Sequence, residues 1–499
     1  MLKVRKVKTK SGAIAFQVVQ YIGHRVKIEK HIGSAQNDEQ CKALQLLATE
    51  WIEEHVAQTT LFSIEKQKVL YVENAKCIAV THNFAYHFFS KCIEKCKLAH
   101  LPRLLIDLAV MRLIEPSSKL QAINLLERYF GIKYSQRFYR TIPKFIEHKT
   151  DIENQAFNVA KEVFDEQFYY VLYDVTTLYF ESFKADELKI HGFSKDNKSQ
   201  QPQIVIGLLV TQSGFPLSYN VFSGNTFEGK TMLPIIENFI STHSNTNPIV
   251  VADAAMLDEE RLAELRGKKI SYIVGARLAN ANIKLVKQIH MALSAHNGAT
   301  VRLQTQHGDL VCDFSMKRYK KELNDLNKLI QKAEELVAKQ SLGNKAKFVK
   351  RVSKEKIEIN TALIEKRKLL LGIKGYCTDL SEDQLSNIDV IDRYHQLWHV
   401  EQSFRMSKYD LEARPIYHRK EDAIRSHVLI CFIALIIEKY LEITTNLSLR
   451  KIRMLVWDIT ESHIQDYVTK EVHKFSSPTI EIKKSSLSPL LEEWGLLPH

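Results

Sequence analysis

Two aspartates, each at the end of an apolar run, and one glutamate in a stretch rich in aromatic and basic residues are the side chains with the most chemistry to offer. Asp174 closes Tyr169-Tyr-Val-Leu-Tyr and Asp253 closes Ile249-Val-Val-Ala. Each carboxylate is therefore expected where a buried strand emerges, the place at which α/β sheets seat ligands. One Asp after an apolar run is more often a turn or a helix cap, so the pair gains its weight from a third acid. That acid is Glu401, within Tyr394-His-Gln-Leu-Trp-His-Val-Glu-Gln-Ser-Phe-Arg-Met-Ser-Lys408. At helical spacing Tyr394, Trp398, Glu401, Arg405 and Lys408 form one stripe, and Leu397, Val400, Phe404 and Leu411 form an apolar stripe beside it. On an exposed helix Glu401 and Arg405 would be a mere i,i+4 pair, worth a few tenths of a kcal/mol. Joined to Asp174 and Asp253, Glu401 completes three hard oxygen donors that suit Mg²⁺.

Two other spacings compete. Gly224-Asn-Thr-Phe-Glu-Gly-Lys-Thr231 fits G-x4-G-K-[ST] between an apolar and a helix-like stretch, so a P-loop nucleotide site, with Asp253 as its metal-binding aspartate, is the alternative reading. Phe227 and Glu228 count against it, since they set bulk and negative charge beside a nest of backbone N–H groups that must hold an anion. His395 and His399 are four apart like zinc ligands but lack the glutamate of H-E-x-x-H. The seven cysteines, Cys41, Cys77, Cys92, Cys96, Cys312, Cys377 and Cys431, are odd in number and include no Cys-x-x-Cys pair, which suits a reducing, cytoplasmic compartment. Cys92, Cys96 and His100 recur every four residues and read as one packed helix face.

The elements that must position the acids are legible from periodicity. Residues 1–34 alternate apolar and polar around Gly12, Gly23 and Gly33, with Lys6, Lys8 and Lys10 on one face, which predicts a small sheet. Helical spacing dominates from Gln36 to about Phe168, punctuated by Pro102, Pro116 and Pro143, with Ser117 or Ser118 placed to cap the helix through Leu125. The runs Phe168–Tyr173, Ile204–Thr211, Ile249–Ala252 and Tyr272–Val274 read as buried strands, with helical stretches after Lys230 and Asp258, which predicts a mixed α/β sheet. Tyr319, Leu323, Leu326, Ile330, Ala333 and Val337 step by 4-3-4-3-4, break at Ser341-Leu-Gly-Asn and are followed by a second helical stretch from Ala346. A helical hairpin over 316–371, inserted in the α/β domain, is the expectation. Residues 317–368 hold sixteen Lys or Arg against seven Asp or Glu, a net of +9, so the insertion also reads as a phosphate-contacting arm.

Composition agrees. A chain of 499 residues, 45% of them apolar, is expected to form two to four domains. Its formal charge, 70 − 58 = +12, favours an anionic partner, of which nucleic acid is the commonest. The start Met1-Leu-Lys-Val-Arg-Lys has no signal-peptide core, and the longest apolar run, Val428 to Ile437, is about half a membrane span, so neither export nor insertion is expected. The domains are read as 1–60, a β element and helix; 61–165, helical; 166–315 with 372–445, the α/β core; 316–371, the basic insertion; and 446–499, a C-terminal region.

Tyr173-Asp-Val-Thr-Thr-Leu-Tyr-Phe-Glu, Val251-Ala-Asp-Ala-Ala-Met-Leu and the stretch Tyr394–Lys408 resemble the three catalytic segments of bacterial insertion-sequence DDE transposases. The last resembles the signature Y-x2-R-x3-E-x6-K of the insertion-sequence-four family: Tyr394, Glu401 and Lys408 match in type and spacing, while Leu397 stands at the arginine position. His191-Gly-Phe-Ser-Lys-Asp, Phe222-Ser-Gly-Asn-Thr and Arg414-Pro-Ile-Tyr-His resemble that group too, and the likeness covers roughly 100–440.

The resemblance implies a ribonuclease-H-like core with Asp174 and Asp253 on neighbouring strands and Glu401 on a following helix, and a DNA-end-binding role for the helical region 61–165. It implies a Mg²⁺-dependent endonuclease and strand transferase, with two divalent ions on Asp174, Asp253 and Glu401 for which Mn²⁺ would substitute. Two ions about 3.5–4 Å apart serve both ends of an in-line displacement at phosphorus. Tyr394 and Lys408 would touch the DNA phosphate near the cut, Arg405 or Arg393 would stand in for the missing arginine, and Trp398 would stack on an unpaired base or fill the core. The expected partners are double-stranded DNA, as element ends and as target, and a second copy of the chain when DNA is bound. A catalytically idle DNA-binding protein of the same descent is the other alternative.

Overall fold

The structure is a computed structural model that describes residues 2–55, 75–181, 184–195, 198, 200–243, 246–254, 259–305, 308–339, 347–352, 357–466, 470–477 and 479–497. The chain forms two compact units, one of residues 1–88, 123–133 and 450–499, the other of 89–122 and 134–449. Ser341-Leu-Gly-Asn and Ala255-Met-Leu fall outside the described residues.

The first unit begins as the alternation predicts. Leu2–Lys8, Ile14–Ile22 and Arg25–Ala35 form an antiparallel sheet, and the helix Asp38–His55 covers it, burying Phe16, Ala35 and Leu44 together. Ala75–Thr81, in the stretch expected to be helical throughout, is instead a strand paired with Glu461–Asp466, which also pairs with Val472–Ser476. A partner so remote along the chain leaves no trace in local periodicity, and pairing overrides propensity.

The second unit is built on an eight-stranded mixed sheet. Its strands are β1 (Tyr170–Tyr179), β2 (Gln203–Val210), β3 (Pro216–Ser223), β4 (Ile249–Ala252), β5 (Tyr272–Gly275), β6 (Thr300–Thr305), β7 (Gly308–Phe314) and β8 (Ile373–Thr378), in the order β6-β7-β8-β5-β4-β1-β2-β3. β4 is parallel to β1 and β5, and every other pairing is antiparallel. β2 is buried along its whole length, the pattern of a strand covered on both faces. The helices that matter here are α1 (Arg103–Ile114), α2 (Lys149–Val163), α3 (Met232–Thr242), α4 (Met316–Ala338), α5 (Thr361–Leu369), α6 (Asn387–His395), α7 (Trp398–Arg405) and α8 (Glu421–Thr445). α8 holds the apolar run Val428 to Ile437 and packs on α1, itself buried from Leu104 to Ile114. Among the described residues no helix is long and apolar enough to cross a membrane. Cys92 and Cys96 are buried, as a packed helix face requires, and His100 bonds Asp151 instead.

Two expectations need correction. β1 does not stop at Asp174: its parallel neighbour β4 ends there, while β1 runs on to Tyr179 in a hairpin with β2. The acid is thus mid-strand, at the level where the sheet narrows. The insertion, between adjacent strands β7 and β8, is not a pair of helices. After α4 come two short paired strands, Val349–Arg351 and Ile357–Ile359, and then α5. The heptad-like seam of α4 is covered by these pieces, since Leu326 and Ala333 pack with Phe348, Ile364 and Leu371.

Glycine appears where the sheet admits no Cβ. A Cβ on Gly207 of β2 would lie 2.3 Å from the Tyr173 hydroxyl and 2.7 Å from Ile235 of α3. Gly207→Ala should therefore destabilise the protein by about 1–3 kcal/mol through overpacking. Urea unfolding measures this, and an unchanged midpoint would mean that the Tyr173 ring can be displaced freely.

Candidate active site

The parallel ladder sets the site. Tyr173 of β1 pairs with Ala252 of β4, and Ala252 with Val274 of β5, so the next level holds Asp174, Asp253 and Gly275 on three neighbouring strands about 5 Å apart. Side chains alternate along β1: Tyr173 packs toward α3, whereas Thr176 and Leu178 line a cavity with Phe404 of α7. Asp174 has the parity of Thr176 and so faces α7. At Gly275 a Cβ would sit 2.5 Å from the Tyr394 hydroxyl. The missing side chain lets Tyr394, on α6, reach across and donate a hydrogen bond to Asp253 Oδ1 at 2.9 Å.

The expected single stripe on one helix is broken twice. Leu397 and Gln396 form a tight turn between α6 and α7, in which the N–H groups of Leu397, His399 and Val400 reach the carbonyls three residues back. After Arg405 the backbone opens into a π turn, Met406–Asp410, closed by Leu411 N–H on Met406 O. Tyr394 is consequently buried, 6% exposed, and its hydroxyl is occupied by Asp253. Glu401 and Arg405 are exposed, and Lys408 is half-buried beside Thr176. Trp398 is 52% exposed and stacks on His399 at 3.7 Å, so it is no core tryptophan. Arg393 lies over the Tyr170 ring at 5.1 Å, four residues and about 13 Å along β1 from Asp174.

Two lysines that spacing did not single out shape the charge. Lys195 donates to Val175 O at 2.7 Å, pairs with Glu228 at 3.2 Å and lies 3.9 Å from Asp174 Oδ1. Lys374 of β8 stands 4.6 Å over the Tyr394 ring. Its ammonium is pushed below the usual range by burial, with Asp253 and Glu401 among the acids that oppose the shift. Glu401 also acts on Tyr394, whose hydroxyl burial and Asp253 hold well above the ordinary range. Asp174 is raised to about 7, first by burial and then by Asp253 and Glu228, against the pull of Lys195 and the Val175 N–H.

Among the described residues no three His, Cys, Asp or Glu side chains converge closely enough to ligate one ion. The donor chemistry nonetheless suits a hard cation. Asp174 and Asp253 share one level of the sheet, and a carboxylate raised by burial and a like-charged neighbour is relieved by added positive charge.

The competing spacings resolve against chemistry. β3, which leads into Gly224–Thr231, is an antiparallel edge strand, and the N–H groups of Gly224, Thr226, Lys230 and Thr231 all bond backbone carbonyls. Thr231 is buried and its hydroxyl joins Tyr173 and the Glu228 carbonyl. The N–H groups of Lys230 and Thr231, which a phosphate nest would need, are thus already taken. His395 lies 3.4 Å from the Tyr376 hydroxyl, and burial lowers His399 to about 4.

Comparison with known proteins places the chain. The profile of the transposase DDE domain matches residues 169–437, more than half of the sequence, and the protein belongs to the DDE transposase family. Among solved structures it is similar to a piggyBac transposase synaptic complex with hairpin DNA, at 11% identity and a TM-score of 0.34, over 76% of this chain and 70% of that one. No curated protein matches the sequence.

The raised Asp174 gives a pH dependence opposite in sign to that of a salt-bridged carboxylate. Between about pH 4 and 7 the folded protein keeps a proton that the unfolded chain has released, so this group's contribution to stability falls as pH rises through that window and stays reduced above it. Asp174→Asn should be more stable than the wild type near pH 8 in chelator-containing buffer, with the difference vanishing below about pH 4. Parallel pH profiles in chemical denaturation would remove the crowding of Asp174.

Proposed function

We propose that the protein is an insertion-sequence transposase, similar to the insertion-sequence-four family, that cuts at the ends of its element and joins them to target DNA. The observation that carries this reading is the level of the sheet shared by Asp174 and Asp253, with Tyr394 on Asp253 and Glu401 on the helix over the same face. The order β3-β2-β1-β4-β5, with β2 alone reversed against the parallel trio and its hairpin partner β3, supports a ribonuclease-H-like core.

In this reading Asp174, Asp253 and Glu401 hold divalent cations, Mg²⁺ or Mn²⁺, which when bound activate the attacking oxygen and neutralise the leaving one. Tyr394 orients the Asp253 carboxylate. Lys195 neutralises Asp174 and Glu228 until a cation takes over. Water attacks the phosphodiester at the element end and frees a 3′-OH, which then attacks target DNA in the same site. Hydrolysis leaves a 5′-phosphate on the flanking strand and runs downhill, and the strand transfer exchanges one phosphodiester for another, so no ATP is consumed. Lys408, beside Thr176, and exposed Arg405 and Trp398 contact the strand near the cut. Residues 61–165 contribute the binding of the element end, and two copies of the chain pair two ends in concert.

Asp174→Ala, Asp253→Ala and Glu401→Ala should each abolish cleavage of labelled element ends while leaving end binding nearly intact, and wild-type cleavage should require Mg²⁺ but not ATP. Retained cleavage in any one variant would remove that residue from the site, and strict ATP dependence would sink the assignment.

The basic insertion contributes a separate expectation. Lys317, Lys321, Lys328 and Lys332 are exposed at helical spacing along α4. If this stripe tracks a DNA backbone, replacing all four by Gln lowers the slope of log affinity against log salt by up to about four. An unchanged slope in a binding titration would return the stripe to an ordinary solvated face.

A further inference from the structure

A cavity of about 350 Å³ lies among α1, the first turn of the helix Lys119–Phe130, and the segment around Pro415. Its size is that of a small-ligand site, and its floor is cationic. Arg112 and Lys119 are only 6% and 5% exposed, and His427 is buried beside them. Arg112 gives two of its five N–H groups to the carbonyls of Leu411 and Ser117. Lys119 bonds His427 Nδ1, while His427 Nε2 meets the Ala413 carbonyl, so the ring is neutral and accepts from the lysine. Burial and Arg112 push the Lys119 ammonium well below its usual range, and burial, followed by Lys119 and Arg112, does the same to His427. Arg414 and His418 add to the wall, on which exposed Glu412 is the negative group among the described lining residues. Buried cations gathered without buried carboxylates are costly unless something brings the counter-charge.

Two features say what that would be. Ser118 accepts from the Gln121 N–H and caps the helix, whose N-terminal dipole end opens on the cavity and favours an anion. Tyr139 and Tyr417, 51% and 71% exposed, stand at the rim as flat faces for a base or sugar. The cavity is also tied to the acids through β1. Ile416 N–H bonds Tyr179 O at 3.1 Å, five residues and about 16 Å along the strand from Asp174.

We propose that this cavity binds a phosphate group of DNA, a few nucleotides from the bond cut at the acids. The identity of the ligand rests on the transposase reading; the anion site rests on its own residues. Arg112 and Lys119 meet the phosphate oxygens and the tyrosines flank the adjoining nucleotide.

The test uses the full chain, a labelled DNA duplex and inorganic phosphate. Lys119→Met removes a floor cation. Ser118→Asp keeps the cap hydrogen bond and sets a carboxylate at the mouth, so it guards against a variant that merely misfolds. Inorganic phosphate, at ionic strength matched with chloride, should raise the wild-type melting temperature and leave both variants unmoved. Both should bind DNA about tenfold more weakly, with the salt slope reduced by about one. A preference for 5′-phosphorylated over 5′-hydroxyl duplexes would identify a terminal phosphate, and equal binding a backbone one. Variants that respond to phosphate and bind DNA like the wild type overturn the pocket alone. A wild type stabilised by phosphate through Lys119 that binds no DNA overturns the DNA assignment together with the transposase reading.

Discussion

The in-register parallel pairing of β1 with β4 is the constraint on which the rest of the site depends. Because Tyr173 lies opposite Ala252, the following residue on each strand is an aspartate at the same level and on the same face. A shift of one residue in either strand would turn one carboxylate to the opposite side of the sheet. The packing behind the pair holds that register. Tyr173, fully buried, fits its hydroxyl over Gly207 to Thr231, so β1, β2 and the start of α3 lock together directly behind Asp174.

Gly275 extends the same logic across the sheet. On the third strand the level that carries acids on its neighbours carries no side chain, and the space is filled by the Tyr394 hydroxyl. The helix that delivers Tyr394 is thereby anchored to an acid, and the next helix begins from that anchor. Ser403 of α7 in turn bonds the Gly214 carbonyl in the β2–β3 turn. Glu401 thus sits on a helix held at one end through Asp253 and along its side by the hairpin of β2.

Much of this was legible in the sequence because it is local. The apolar runs gave β1, β2, β4 and β5, with Asp174 and Asp253 directly following two of the runs. The parts that were not legible depend on partners far along the chain. β3, β7 and β8 are defined by antiparallel ladders, and β8 follows an insertion of more than fifty residues. Lys195 and Lys374 carry no spacing signal, since one reaches the site from the loop before β2 and the other from β8. The helix stripe misled because periodicity cannot register a π turn. Five residues that bond i→i+5 have the same composition as five that bond i→i+4, yet they rotate Lys408 out of line with Glu401.

Leucine at position 397, where the resembling signature has arginine, fits the same geometry. Position 397 lies in the tight turn between α6 and α7, and Leu397 there is buried, 7% exposed, with Val400 and Phe404 buried on the helix that follows. A guanidinium at that point would need desolvation and a partner, and would be costly without one. The positive charge near the acids comes from β8 and from the loop before β2 instead. Lys374 projects from β8 over the Tyr394 ring, within the influence of Asp253 and Glu401, and Lys195 holds the other flank between Asp174 and Glu228. An ammonium on a flexible stem can withdraw when a divalent cation or a phosphate arrives, whereas a planar guanidinium set in a bidentate pair is committed to its geometry. The two flanking lysines therefore compensate the acids without fixing the shape of whatever could replace them.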